Sequence, residues 1–130
     1  MSNYPYNYYV DIVTKRYFHG VDHYMMDCVM DCFHQDAVLT EMTSSTVHEG
    51  YAAIKEMFAG LFDAHTRIWH GNFVHTADVE SQSICSQFTV EVTEKETGNA
   101  LRYENCNRFY LDDGKFKRVF VYMSGENLLK

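Results

Sequence analysis

The spacing of apolar residues changes once along this sequence, after Asp63, from a helical period to strict alternation. Before Asp63, three stretches place apolar side chains three or four residues apart, which is the spacing of one helix face. These faces comprise Tyr6, Val10, Val13 and Tyr17; Met26, Val29, Met30 and Phe33; and Ile54, Met57, Phe58, Leu61 and Phe62. Beyond Asp63, alternate residues are apolar in segments separated by turn signals, which indicates strands. The sequence therefore predicts helices first and four consecutive strands last.

Breaks between these segments set the predicted boundaries. Pro5 opens the first helix, Gly20 ends it, and His34-Gln35-Asp36 breaks the second helix. A short strand is predicted from Ala37 to Met42, followed by a polar loop at 43–46 and by Gly50 before the third helix. The last four strands are predicted around 68–74, 84–92, 101–111 and 116–123, with hairpin turns at 94–99 and 112–114.

Four consecutive antiparallel strands with helices on one face define an α+β domain. We expect a cone-shaped, strongly curved antiparallel sheet wrapped around the three N-terminal helices and enclosing a pocket that admits a small molecule. The length of 130 residues fits a single domain, 1–130. The sequence is 46% hydrophobic and 15% aromatic, which is enough to fill a core and to line an apolar cavity.

Charge and composition exclude several classes of partner. The net charge is −7 and no Lys/Arg cluster appears, so we expect neither nucleic acid nor an anionic membrane surface as a partner. No apolar run approaches the roughly 20 residues of a membrane helix. The stretch Met1 to Pro5 has no basic region followed by an apolar one, so no signal peptide is expected. We therefore predict a cytoplasmic protein whose four cysteines are free thiols.

Three residues have the types and the placement that acid–base chemistry needs. Tyr17 and Asp22 lie five apart at the end of the first helical pattern, and His70 lies on the first strand after the last helix. A carboxylate that contacts an imidazole across a pocket orients the ring and leaves its other nitrogen free to take a proton. A nearby phenol can donate to the oxygen that gains charge. We predict Tyr17, Asp22 and His70 as catalytic residues.

Each of these residues also has a structural interpretation. Asp22 can cap the second helix, because Asp at a helix start accepts hydrogen bonds from amide protons. Tyr17 and His70 can be packed core residues. The glycine between His19 and His23 interrupts the helix, so no metal site is predicted there. The sequence has no Gly-rich phosphate loop, Ser nucleophile motif or flavin signature, so we expect no cofactor.

A second group of residues is predicted to line the pocket and to bind a small apolar molecule. Asn105 and Asn107 share a strand face with apolar residues, and buried amides there need a partner such as water or a ligand. The full predicted substrate-binding set is Asn105, Asn107, Phe58, Phe88 and Tyr103. Glu41 alternates with inward-facing residues, but as a strand-end carboxylate it is expected to be solvated.

Local motifs occur in a fixed order over nearly the whole chain. They are Tyr17-Phe18 with Asp22; Phe33-x-x-Asp36-Ala37; Gly50-x-x-x-Ile54-x-x-x-Phe58; Asn107-Arg108-Phe109; and Asp113-Gly114-Lys115-Phe116. With these motifs the sequence resembles the SnoaL-like branch of the nuclear transport factor 2-like superfamily. The resemblance implies a curved α+β cone, a fold that serves enzymes, carriers and transport factors alike.

The resemblance also implies specific activities. Tyr17, Asp22 and His70 match in type and spacing the trio of bile-acid 7-alpha-dehydratase. Asp22 and His70 also match the pair shared by scytalone dehydratase and hexachlorocyclohexane dehydrochlorinase, although the second catalytic His of scytalone dehydratase is missing here. In the ketosteroid isomerase pattern Tyr17 matches the oxyanion-hole Tyr, but Asn105 and Glu41 stand where those enzymes have Asp.

We therefore predict a cofactor-independent lyase that carries out a dehydratase-type elimination on a small, apolar, cyclic substrate. Two alternatives stay open. One is a module of the same fold that binds a small ligand or forms a dimer scaffold without catalysis. The other is an isomerase similar to the ketosteroid isomerases.

Alternation along the strands also predicts an outer sheet face. Trp69, Phe73 and His75 are expected to face away from His70. The residues expected to face away from Asn105 are Arg102, Glu104, Arg108 and Tyr110. An aromatic face with Arg at its margins is typical of a protein interface, and sheet-to-sheet homodimers are common in the resembled family. We predict a homodimer through this face; the alternative is that Gly125 to Lys130 cover Trp69 and the chain is a monomer.

Overall fold

The computed structural model describes residues 4–130. Residues 1–3 belong to the stretch where no signal peptide is expected, and they lie outside the described residues. Within the described residues there are three helices and six strands, and the strands form one sheet. None of the helices in this part of the chain is long and apolar enough to cross a membrane.

The first helix runs without interruption through three stretches, which are Tyr6–Asp11, Ile12–Phe18 and His19–Asp22. The middle stretch is a π-helix, a wider helical turn that often occurs at functional sites. The prediction that Gly20 ends this helix is wrong. Gly20 lies inside the helix, and a Cβ atom there would stand 3.0 Å from Val29 Cγ2 and 3.2 Å from the Val29 nitrogen. The glycine therefore lets the second helix, Met26–Met30, pack closely against the first.

The first two strands differ from the prediction. Strand β1, Phe33–Glu41, begins before Ala37, because Phe33 already pairs with Phe116 of the last strand. The segment predicted to break the second helix is therefore strand. Strand β2, Thr46–Glu49, pairs antiparallel with β1, whereas the sequence analysis predicts a polar loop at 43–46 and no strand before Gly50. Its side chains are half-buried or exposed in turn, so it lacks the apolar alternation by which a sequence reveals a strand.

The remaining elements follow the predicted order. They are the third helix, Tyr51–Ala64, and the strands β3 His65–Asp78, β4 Ser83–Glu94, β5 Ala100–Asp112 and β6 Lys115–Tyr122. The strands lie in the order β2-β1-β6-β5-β4-β3, and every neighbouring pair is antiparallel except β1 with β6. The sheet is thus mixed rather than wholly antiparallel. The predicted α+β cone, with a curved sheet around three helices, is confirmed.

A β-bulge in β3 changes which of its side chains face inward. The pairing of β3 with β4 shifts between Gly71 and Val74, and Asn72 has a left-handed backbone with a φ of 55°. An extra residue in a strand reverses the alternation beyond it. Strict alternation along this strand predicts Asn72 and Val74 on the face of His70. The bulge makes that prediction wrong, and the Val74 side chain is 62% exposed.

The same bulge turns two ring side chains inward. The Phe73 ring lies 5.3 Å from that of Phe18 and 6.0 Å from that of Phe88, both of which are buried. The His75 ring stacks on Phe73 at 5.5 Å. The predictions that Phe73 and His75 face away from His70 are therefore wrong. The outer face loses one aromatic side chain that the homodimer prediction assigned to it.

The C-terminal residues 123–130 cross the inner side of the sheet, where the core lies. Leu129 is only 8% exposed, and a Cβ atom at Gly125 would overlap the ring of Tyr103. Trp69 instead packs over Gly71 of its own strand. The segment thus covers Tyr103 and the interior, and not Trp69 as in the monomer alternative.

Candidate active site

Asp22 and His70 contact each other directly. His70 Nδ1 donates to Asp22 Oδ1 at 2.5 Å, and the backbone N–H of His70 donates to Asp22 Oδ2 at 2.9 Å. Both side chains are largely buried, with exposures of 10% for His70 and 16% for Asp22. A carboxylate in this position fixes the ring and its tautomer, because Nδ1 carries the donated proton. In the neutral ring Nε2 is then unprotonated and free to accept a proton.

The ends of two elements bring these residues together. Asp22 is the last residue of the first helix, and His70 lies on β3 just before the bulge. The alternative that Asp22 caps the second helix is wrong, since Met25 occupies its N-cap position and no side chain caps it. The Asp22 carboxylate extends across to the sheet instead.

The surroundings of the His70 ring are apolar. The ring centroid lies 4.4 Å from that of Phe18 and 5.3 Å from that of Phe88. These two phenylalanines keep water from the faces of the imidazole. In such an environment the hydrogen bonds to Asp22 are stronger than they would be in water.

Tyr17 lies in the π-helical stretch and is 2% exposed. Its ring meets five phenylalanine rings edge to face, at centroid distances between 4.7 and 6.0 Å: Phe18, Phe33, Phe58, Phe109 and Phe116. Burial, with a smaller contribution from the Cys32 thiol, raises the pKa of the Tyr17 phenol far above its usual 10.0. The hydroxyl therefore stays protonated at physiological pH, as a hydrogen-bond donor must.

Tyr17 and His70 both line an internal cavity with a volume of about 40 Å³. Four of the five predicted substrate-binding residues line it too: Phe58, Phe88, Asn105 and Asn107. The volume exceeds the roughly 10–15 Å³ that one water molecule needs. It is far below the roughly 300–1,000 Å³ of typical ligand pockets. The cavity is therefore the narrow inner end of a cone that is otherwise filled by side chains.

The predicted polar residues of the pocket have different environments. Asn105 Oδ1 accepts a hydrogen bond from the Ser124 backbone N–H at 3.1 Å. Asn107 Oδ1 is buried with no hydrogen-bond partner among residues 4–130. Tyr103 does not line the cavity, because its hydroxyl donates to Glu126 at 3.1 Å beneath the C-terminal segment. One predicted substrate-binding residue is thus separated from the site by the chain's own C-terminus.

The C-terminal segment also contributes residues that the sequence analysis missed. Met123, Leu128 and Leu129 line the cavity, so this segment forms part of its wall. The only sequence signal is a pair of leucines within an otherwise polar tail. A pair of leucines has no period, so it indicates neither a helix nor a strand.

Glu41 contradicts the expectation of a solvated carboxylate, because its side chain is fully buried. Its Oε1 accepts hydrogen bonds from the Ser44 backbone N–H at 2.8 Å and from Ser44 Oγ at 2.9 Å. Burial raises the pKa of the Glu41 carboxyl, but hydrogen bonds from Thr43 and Ser44 outweigh it and hold the pKa below the usual 4.5. Glu41 does not line the cavity. Its alternation with Ala37 and Leu39 is the sequence signal for its inward position.

The structure also locates the remaining titratable candidates. His19 lies in the last stretch of the first helix and His23 directly follows its end, with ring centroids 4.2 Å apart. Among residues 4–130, no group of three or more His, Cys, Asp or Glu side chains is arranged to hold a metal ion. All four cysteines are free thiols.

Solved structures of several proteins share this fold over most of their length. A candidate polyketide cyclase from Xanthomonas campestris superimposes with a TM-score of 0.80, covering 94% of this chain and 92% of its own at 18% identity. A candidate isomerase from Bacillus subtilis gives a TM-score of 0.81, with coverage of 95% and 90% at 16% identity. The epoxide hydrolase/cyclase-like enzyme SalBIII, which acts in pyran ring formation in the polyether salinomycin, gives 0.77, with coverage of 91% and 92% at 22% identity. At these identities the likeness establishes the fold alone.

The sequence itself identifies the family. No curated protein matches the chain significantly. Residues 14–119, however, match the family described as the SnoaL-like domain. This range includes Tyr17, Asp22, His70, Asn105 and Asn107, and it ends before the C-terminal segment that closes the cavity. The chain therefore belongs to the SnoaL-like domain family.

Proposed function

We propose that this protein is a cofactor-independent lyase that eliminates water from a small, apolar, cyclic substrate. The observation that carries the proposal is the pair of hydrogen bonds between Asp22 and His70 at the wall of an apolar cavity. The fixed tautomer leaves His70 Nε2 as a base, and a correctly placed base typically contributes about 10²–10⁴ in rate. The similarity to polyketide cyclases and to SalBIII agrees with a substrate that is cyclic and oxygenated.

In the proposed reaction, His70 Nε2 removes a proton from the carbon next to a carbonyl group. Tyr17 donates a hydrogen bond to the carbonyl oxygen as it gains negative charge. The new carbon–carbon double bond forms as the bond to a β-hydroxyl breaks, and the imidazolium returns its proton to the leaving oxygen, so that water is released. Asp22 stabilises the imidazolium, and Asn105 or Asn107 helps to hold the substrate oxygen.

A substrate screen with matched histidine variants tests this proposal. Cyclic β-hydroxy ketones are incubated with the protein, and the enone product is measured by its ultraviolet absorbance. His70→Ala should lower turnover at least 100-fold, in the range expected for loss of a general base. His75→Ala is the matched control, because His75 also faces the interior but has no carboxylate partner among residues 4–130 and instead contacts Ser86 at 2.8 Å. Equal turnover in wild type and His70→Ala would contradict the proposal.

The non-catalytic alternative has its own support in the small cavity. A volume of about 40 Å³ does not hold a cyclic substrate, and a cone filled by its own side chains fits a binding module or a scaffold. Mass spectrometry of molecules that co-purify with the protein separates the alternatives, since a retained ligand that is never converted favours binding. The isomerase alternative has less support, because Glu41 does not line the cavity.

We also propose that the protein forms a homodimer through the outer sheet face and is located in the cytoplasm. Trp69, Arg108 and Tyr110 remain candidates for this interface after the inward turn of Phe73. Sedimentation at micromolar concentration tests the dimer. A single species near 15.2 kDa would exclude it. A dimer that persists after Trp69→Glu would show that another face is used.

A further inference from the structure

The cavity is closed from outside by a segment that has no regular secondary structure. Residues 123–130 follow β6 and form neither helix nor strand. Within them, Leu128 and Leu129 project into the cavity beside Met123. The segment therefore occupies the space in which part of a cyclic substrate would have to lie.

The segment is held by a short chain of polar contacts to the β1–β2 hairpin. Asn127 Nδ2 donates to Ser44 Oγ at 3.0 Å and to Thr46 Oγ1 at 3.3 Å. Asn127 Oδ1 accepts from the Leu129 backbone N–H at 2.7 Å, and the Leu129 carbonyl contacts His48 Nε2 at 2.9 Å. Ser44 is in turn fixed by the buried carboxylate described above. The Asn127 side chain thus bonds both to the hairpin and to the leucine pair, and His48 of the hairpin contacts the same pair directly.

A larger open groove lies on the other side of this segment. It has a volume of about 780 Å³ and lies between the end of the third helix, the β4–β5 hairpin and residues 126–130. Leu61 and Leu128 line both the groove and the inner cavity. These two side chains therefore form the partition between the two spaces. Displacing Leu128 would join them into one pocket of the size that small-molecule ligands occupy.

We propose that residues 123–130 act as a gate, and that the groove is the entry site through which a neutral, apolar substrate reaches the cavity when Leu128 moves aside. This inference rests on the proposed function of the cavity as a small-molecule site. It resolves the mismatch between a cyclic substrate and a cavity of about 40 Å³. It also gives Glu41 a positioning role, because Glu41 fixes the serine to which the gate is bonded.

The charges around the groove select the class of substrate. Four carboxylates line it, from Asp63, Glu94, Glu96 and Glu126, against two ammonium groups, from Lys95 and Lys130. The electrostatic potential is therefore negative at the entrance, which lowers the local concentration of anions. A neutral ketone or alcohol can enter, whereas a carboxylate, a phosphate or a thioester attached to a phosphorylated carrier is disfavoured.

The gate can open because side-chain hydrogen bonds, and not strand pairing, hold it. Each such bond multiplies the closed population by roughly two- to tenfold. The apparent dissociation constant of a ligand is the intrinsic constant divided by the open fraction. Weakening the bonds of Asn127 should therefore tighten the binding of any ligand that needs the open state, by about tenfold.

The test is the binding of a fluorescent probe to the full chain. Naphthol is neutral and apolar, and naphthoate is its anionic counterpart. We expect Asn127→Ala to bind naphthol about tenfold more tightly than wild type, and Leu128→Ala to do the same because it removes the partition. Asn99→Ala, on the exposed β4–β5 hairpin, is the matched control and should bind naphthol like wild type. Naphthoate should bind more weakly than naphthol to every variant at low ionic strength.

The outcomes separate the gate from the proposed function. Equal naphthol affinity in wild type, Asn127→Ala and Leu128→Ala, or no binding to any of them, would overturn the gate. Hydrogen exchange at the Leu129 amide provides a second readout, and unchanged exchange in a folded Asn127→Ala would overturn it as well. The catalytic proposal is tested separately, by the turnover of cyclic β-hydroxy ketones in His70→Ala, so its failure would leave the naphthol comparison among wild type, Asn127→Ala and Leu128→Ala unaffected.

Discussion

Replacing Asp22 with Asn removes one carboxylate charge and changes almost no volume. The carboxylate accepts two hydrogen bonds from His70, at 2.5 Å and 2.9 Å. An amide offers one acceptor and one donor at the same place, so one of the two N–H groups of His70 then faces another donor. If that group is Nδ1, the ring must shift its proton to Nε2. Nε2, the nitrogen proposed to act as the base, then loses its ability to accept a proton.

The structure sets the size of this effect. A hydrogen bond to a charged group contributes about 1.5–3 kcal/mol, and a buried donor left without a partner costs about as much. We expect Asp22→Asn to lower the free energy of unfolding by about 2–3 kcal/mol. With an unfolding entropy of about 2.1 cal/mol/K per residue over 130 residues, this corresponds to a fall in Tm of about 7–11 °C.

Two assays measure the prediction without knowledge of the substrate. Urea denaturation gives the change in the free energy of unfolding, and nitrogen NMR of labelled histidine shows which ring nitrogen of His70 carries the proton. Asp36→Asn is the matched control, because that carboxylate is 75% exposed and lies 3.8 Å from Lys117. Such exposed pairs contribute less than about 1 kcal/mol. A stability within about 0.5 kcal/mol of wild type, together with an unchanged His70 tautomer, would refute the role given to Asp22.

Three further predictions follow from the packing and the charges. Tyr17→Phe keeps the buried aromatic ring and removes the hydroxyl, so we expect turnover to fall about 10–100-fold while the free energy of unfolding, measured by urea denaturation, changes by less than about 1 kcal/mol. A larger loss of stability would mean that the hydroxyl has a structural role. Gly20→Ala should destabilise the fold by about 1–3 kcal/mol, because the added Cβ would stand 3.0 Å from Val29 Cγ2. Gly60→Ala is the control: an added Cβ at this helical position meets open space, so the variant should be stabilised by up to about 1 kcal/mol in the same assay. Because the pKa of Glu41 is lowered in the folded protein, its stabilising contribution is present above the usual pKa of 4.5 and is lost as pH falls through the lowered pKa. The free energy of unfolding of wild type should therefore fall more steeply below pH 4.5 than that of Glu41→Gln, and parallel plots of stability against pH would contradict this assignment.

The sequence predicts the fold well wherever side chains keep one period. The apolar faces of the three helices and the alternation in β4 and β5 are sufficient for the α+β cone, and for the inward position of Asn105 and Asn107. Strand β2 is not predicted from the sequence, because it is short, polar and at the edge of the sheet. The start of β1 at Phe33 is not predicted either, because its pairing partner, Phe116, lies at the other end of the sequence.

The candidate site shows the same division between local and distant causes. Asp22 and His70 are predicted from their residue types together with the resemblance to the SnoaL-like branch, and the structure places them in contact. The bulge at Asn72 depends on one left-handed residue that is not glycine, so alternation alone assigns Phe73 and His75 to the wrong face. The closure of the cavity by Leu128 depends on contacts with a distant hairpin, which no local pattern records.

The central claim is that His70, oriented by Asp22, removes a proton next to a carbonyl group. The most direct measurement is proton NMR of hydrogen–deuterium exchange at the α-carbon of small cyclic ketones in deuterated water, which detects proton removal even when no elimination follows. We predict that the wild-type protein accelerates this exchange and that His70→Ala and Asp22→Asn lower the acceleration at least 100-fold, with His75→Ala close to wild type. Acceleration that persists in His70→Ala would contradict the account.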